Sequence, residues 1–129
     1  MKKEKDVQAI ILKARDKLKT ARLDFDGGQY DDAVSRAYYA VFHMMTAALF
    51  SRDQVYTSHA QTIGAFNREF IKTSIFPKGF TKMIQGLFEE RQTGDYDVSV
   101  WIDVDTAEIN IRNAEAICFA IEEYLTHLP

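Results

Sequence analysis

The 129 residues include one cysteine, two prolines and six glycines. A lone cysteine, Cys118, can build neither an internal disulfide nor a thiolate metal cage, so a reducing compartment is expected. The three histidines, His43, His59 and His127, have no metal-ligand spacing: none follows a Glu by three residues, and no His-x-x-x-His occurs. A protein-built metal centre is not expected, and neither is any other cofactor. No apolar run reaches the ~18 residues of a membrane span. The opening Met-Lys-Lys-Glu-Lys-Asp leads into an amphipathic pattern with no small-residue cleavage site, which argues against a signal peptide. No excess of basic charge exists either, since 16 basic and 19 acidic residues leave a formal net charge of -3. That excludes a generally basic nucleic-acid coat but leaves room for a local basic groove. The expectation is a soluble, cytoplasmic protein with residues 1–129 forming a single domain.

What is present is core-forming material, 47% hydrophobic and 12% aromatic. From about Glu4 to Phe25, Val7, Ile10, Ile11, Ala14, Leu18, Ala21 and Phe25 recur at threes and fours, the period of a helix with one buried stripe. Gly27-Gly28 lacks the partners of a phosphate loop and reads as a helix stop. A second helix from about Tyr30 to Ser51 is apolar over half its circumference, from Ala33 and Val34 to Met45 and Leu49. A narrower strip holds Arg36, Tyr39, His43 and Phe50. Such a helix is central, touching either two layers of its own domain or a second subunit.

Ser58-His59-Ala60-Gln61 has the capping-box form and opens a third helix with stripe Ile63, Phe66, Phe70 and Ile71. Phe76-Pro77-Lys78-Gly79 breaks the chain, and a fourth helix runs from about Phe80 to Thr93, stopped by Gly94. Residues Asp95 to Ile102 read as an ordered loop pinned by Trp101. Asp105-Thr106-Ala107-Glu108 is a second capping box, opening a last helix to about Leu125. Five helices with short links predict an all-α, up-and-down antiparallel bundle.

Charge is segregated along the chain. Residues 1–22 carry eight basic and three acidic side chains, whereas residues 89–129 carry ten acidic and two basic. Either the first and last helices lie side by side with complementary faces, or the basic helix meets phosphates or an acidic partner.

Two constellations could carry chemistry. Arg91 extends the apolar stripe of Ile84, Leu87 and Phe88, where a guanidinium is costly unless it is paired or faces a site. It is either a structural ion pair, for example with the last helix, or a cation reserved for a phosphate. Tyr96 follows five residues later, past the expected helix end. The other constellation is Arg36, Tyr39 and His43, which stack on one helix face and together can bind phosphate and stack a base. Aromatic packing between helices explains Tyr39 and His43 about as well. Cys118 lies on a buried stripe and reads as a core residue.

The segment Ala33-Val34-Ser35-Arg36-Ala37-Tyr38-Tyr39-Ala40-Val41-Phe42-His43 resembles the second helix of HEPN domains (higher eukaryotes and prokaryotes nucleotide-binding). Ser58-His59, the Phe66 and Phe70 pair, and Glu90-Arg91-Gln92-Thr93-Gly94-Asp95-Tyr96 resemble the stand-alone prokaryotic branch, so the likeness spans roughly residues 8–125. It implies a HEPN-like helical bundle forming a homodimer with a cleft between subunits. It also implies a minimal nucleotidyltransferase partner in a toxin–antitoxin pair. Ribonuclease members carry Arg, four to six residues, then His. Here the Arg is Arg91, and Tyr96, Asp97 and Val98 stand where that His would be. The favoured reading is nucleotide or RNA binding, by Arg91 where the resemblance puts the cleft and by Arg36, Tyr39 and His43 on their shared helix face. Its rivals are a metal-independent endoribonuclease toxin, with Arg91 on the scissile phosphate and Tyr96 or His43 moving protons, and a non-catalytic protein-interaction module.

Overall fold

The computed structural model describes residues 2–128, and within them five α-helices follow one another. They are α1 (Lys2–Asp26), α2 (Tyr30–Phe50), α3 (His59–Phe66), α4 (Gly79–Tyr96) and α5 (Val104–Thr126), with a π-helical turn at Asn67–Ile71 after α3. No strand occurs among the described residues. The all-α antiparallel bundle expected from the periodicity is what forms.

α1 buries Val7, Ile11, Ala14 and Ala21, the centre of its apolar stripe. It ends in a Schellman motif: Gly28 takes φ 78°, its N–H reaches the Phe25 carbonyl, and the Gln29 N–H reaches that of Asp24. The turn sends α2 back along α1. α2 touches α1, α3, α4 and α5, so its apolar circumference is covered within its own chain. Of the two coverings its sequence allowed, this is the first, and the helix by itself requires no second subunit.

The two ends of the chain meet. Arg15 donates from Nε and Nη2 to both carboxylate oxygens of Glu122 at 2.8 and 2.6 Å, and Arg22 spans Glu108 and Glu115 at 2.8 Å each. The segregated charges therefore serve as complementary faces of α1 and α5.

Three local expectations are corrected. Gly94 does not stop α4, which continues to Tyr96. Its missing side chain instead admits Ile102, whose Cδ1 would lie 2.8 Å from a Cβ at that position. Trp101 does not pin the 97–103 segment, because it is 83% exposed. Ile102 does so, buried against Val34 and Ala107 while its N–H donates to Asp31 Oδ1 at 2.9 Å. The cap of the last helix is Asp103, which accepts from the Thr106 N–H at 2.7 Å, two residues before the expected box. The Ser58 cap forms as expected, with Oγ accepting from the Gln61 N–H.

Candidate functional site

The site starts from the apolar stripe of α4. Ile84 and Leu87 anchor that stripe in the core, and one turn further on the same face meets α2 with an arginine instead of an apolar side chain. The Arg91 side chain is only 12% exposed. Its guanidinium sits among three tyrosines, 5.6 Å from the ring centre of Tyr38, 5.0 Å from Tyr39 and 5.5 Å from Tyr96. Nη2 donates to the Tyr39 hydroxyl. Nε lies 3.1 Å from Asp95 Oδ2, close enough for an ion pair, yet the angle is poor and Nε makes no hydrogen bond. Asp95 is a residue of the same helix, so the pairing with α5 that the sequence allowed is replaced by an i,i+4 pair. Ser35 of α2 also donates to Asp95 Oδ2, at 3.3 Å.

Continuing α4 through Gly94 brings Tyr96 onto the guanidinium while leaving it 70% exposed. Arg91 and Tyr96 thus come together as their spacing suggested, and Tyr39, expected in the other constellation, meets them there. Arg36 and His43 do not join them. With Lys17 of α1, Asp32, Ser35 and Tyr39 they line an adjoining open cleft of about 450 Å³. Arg36 sits at its rim, 3.6 Å from Asp24 Oδ2. Burial, and then the charges of Lys13 and Lys17, hold the His43 imidazole below its usual value, so the ring is neutral at pH 7. Tyr39 belongs to both places, lining the cleft and accepting from Arg91.

Sequence reasoning missed two members. In the sequence Lys17 is only one of the charges of a basic helix, whereas the fold places it in the cleft wall. In the sequence His59 marks only the start of α3 and a part of the family likeness, with no role in a site, whereas the Ser58 cap delivers it against Tyr38, Tyr39 and Phe42 of α2. Its ring stacks on Phe42 at 4.2 Å, meets Tyr39 edge-on at 6.0 Å, and places Nδ1 2.7 Å from the Tyr38 hydroxyl. Burial first, and the Arg91 charge second, lower its pKa. Burial likewise raises Tyr38 to about 12, so its hydroxyl stays protonated. No spacing rule could bring His59 near Arg91, because the two meet only through the rings of Tyr38 and Tyr39 that lie between them.

Among the described residues no cluster of three His, Cys, Asp or Glu side chains could hold a metal ion. Cys118 is buried and its thiol is pushed far up by that burial, which leaves it inert as a nucleophile. What the arrangement offers is a desolvated guanidinium, tyrosine hydroxyls and stacking rings, the donor set of a phosphate and base site.

Comparison with known proteins places this chain in a family. The model of the HEPN domain matches residues 7–124. A UPF0332 protein of Thermotoga maritima is 35% identical over 98% of this chain and 96% of its own length. A Methanocaldococcus jannaschii protein whose name marks it as a candidate toxin is 28% identical over 95% of this chain and 83% of its own length. The crystal structure of TT1696 from Thermus thermophilus superposes with a TM-score of 0.77 over 91% of this chain and 96% of that one. At 18% identity it speaks for the fold alone.

Proposed function

This chain belongs to the HEPN domain family, and on that premise we propose that it binds nucleotide or RNA phosphate at Arg91. The observation that carries the reading is the guanidinium itself. It is nearly buried, bordered by three tyrosine rings, and held by a carboxylate whose geometry leaves Nε without a hydrogen bond. A phosphate entering beside Tyr96 gains a charge-assisted contact, and the exposed ring of Tyr96 gives a base a stacking surface. The cleft bearing Lys17, Arg36 and His43 extends the reading along a strand, with Tyr39 shared between both places.

The protein acts as a homodimer in this reading, with Arg91 and Tyr96 of each subunit in the shared cleft. Tyr96, Val98 and Trp101 support it, since 70%, 97% and 83% exposure leaves large apolar surface beside the site. Its place is one half of a toxin–antitoxin-like module with a minimal nucleotidyltransferase; the two Methanocaldococcus jannaschii relatives named as candidate toxins favour the toxin side of that reading alone.

The test is fluorescence anisotropy with a short, labelled single-stranded oligoribonucleotide. Arg91→Ala abolishes binding while circular dichroism stays that of a folded helical protein. Tyr96→Phe keeps the ring and costs less. Retained binding by Arg91→Ala, together with a large fall in melting temperature, would make Arg91 a structural pair and leave a protein-interaction role. Metal-free cleavage of the RNA by the wild type would point to the ribonuclease reading instead.

A further inference from the structure

The hydrogen bond between Tyr38 and His59 has a consequence for the Arg91 site. Tyr38 is fully buried, and its hydroxyl has one hydrogen-bonding neighbour among the described residues, His59 Nδ1 at 2.7 Å. If Nδ1 carried the imidazole proton, the hydroxyl hydrogen would be left without an acceptor in the core, an arrangement that buried polar groups avoid. Tyr38 therefore donates to Nδ1, and the single proton of the neutral ring resides on Nε2. Three aromatic neighbours hold the ring in place: Phe42 stacked at 4.2 Å, Tyr38 at 5.7 Å and Tyr39 edge-on at 6.0 Å. His59 is half-buried, and Nε2 makes no hydrogen bond to any described residue. Tyr38 and Tyr39, which border it, are also two of the rings beneath the Arg91 guanidinium.

We infer that His59 is a second phosphate-binding residue of the Arg91 site, presenting Nε2–H to a phosphoryl oxygen of bound RNA. The inference rests on the Arg91 reading and adds a donor from a different helix. It also assigns the histidine a role distinct from proton abstraction. With the Nδ1 lone pair accepting from Tyr38 and Nε2 already protonated, neither nitrogen has a free lone pair directed at a ribose hydroxyl. Burial, and after it the Arg91 charge, keep the ring neutral and maintain that state at pH 7. Bound RNA is therefore held rather than cut by this pair.

Nitrogen-15 NMR of the imidazoles in the whole protein reads the tautomer directly. The wild type shows His59 protonated at Nε2 and bare at Nδ1, and adding a short single-stranded oligoribonucleotide shifts the Nε2–H resonance. Tyr38→Phe mixes the two tautomers. His59→Ala weakens RNA affinity roughly ten- to hundredfold, the range for a hydrogen bond to a charged group. His59→Gln, which keeps an N–H, restores part of it. An Nδ1–H tautomer in the wild type, or an Nε2–H signal unmoved by saturating RNA, overturns the inference without any variant. Unchanged RNA affinity in His59→Ala, alongside loss in Arg91→Ala, overturns it while the Arg91 reading stands. Unchanged affinity in Arg91→Ala, or no RNA binding by the wild type, sinks both.

Discussion

Arg91 and His59 show how single residues were and were not legible. The cost of a guanidinium on an apolar stripe is a local property, so the sequence alone marks Arg91 as paired or functional. Its actual partners are Tyr39, 52 residues away in the chain, and Asp95, one turn on. The first is invisible to periodicity. His59 is less accessible still, because its position depends on the path of the 51–58 connection. Its environment makes a pH prediction. The folded-state pKa values of His59 and His43 are held below the ordinary value by burial, with Arg91 the second cause at His59 and Lys13 and Lys17 at His43. The unfolded chain thus binds protons first, and stability present above about pH 6.5 is lost as pH falls from there through the lowered values. Urea denaturation at pH 7.5 and 5.5 measures this, and His59→Gln reduces the difference. A second loss begins below about pH 4.5, where Glu108 and Glu122, held low chiefly by hydrogen bonds from Arg22 and Arg15, take up protons. An unchanged midpoint between pH 7.5 and 5.5 would contradict the first part.

At the scale of elements, boundaries set by local chemistry were readable, and those set by docking were not. Gly28 and Ser58 act within a few residues of themselves, so both the α1 stop and the α3 cap follow from sequence. Gly94, Trp101 and Asp105 misled because the 97–103 segment folds back on α2 and α4. Once Ile102 is seated beside Val34 and Ala107, Asp103 rather than Asp105 is the residue placed to cap α5. Gly94→Ala tests this assignment. A glycine that merely ended the helix would tolerate alanine, and within a helix the change would favour folding by up to ~1 kcal/mol. Here the new methyl meets Ile102 Cδ1, the far end of a flexible side chain that can turn aside, so the overpacking costs about 1 kcal/mol, the low end of its range. We expect no net stabilisation, with faster amide exchange at Ile102, and a gain on adding Ile102→Val. A rise in melting temperature without faster exchange would return Gly94 to the role of a simple stop.

For the whole molecule, the bundle was legible because five stripes of matching period needed a common core, and they share one. Assembly was less so. The apolar breadth of α2 is used inside the chain, so the case for a dimer moves to the exposed apolar surface of Tyr96, Val98 and Trp101. Light scattering at micromolar concentration should give twice the 14.8 kDa chain mass. Trp101→Ser together with Val98→Ser should shift it toward one chain, with the helical spectrum intact. A single-chain mass for the wild type would count against the homodimer.

The central position of α2 has one more consequence. Tyr38 and Tyr39 sit on the helix that α1, α3, α4 and α5 all contact. The amides in the middle of a helix so enclosed are expected to exchange with solvent only when the whole bundle comes apart. A ligand seated on Tyr39 and Arg91 is thereby coupled to global unfolding. Its binding free energy should appear as slower exchange in all the helices that α2 touches, while the 97–101 segment, exposed and outside the core, keeps exchanging at its own rate.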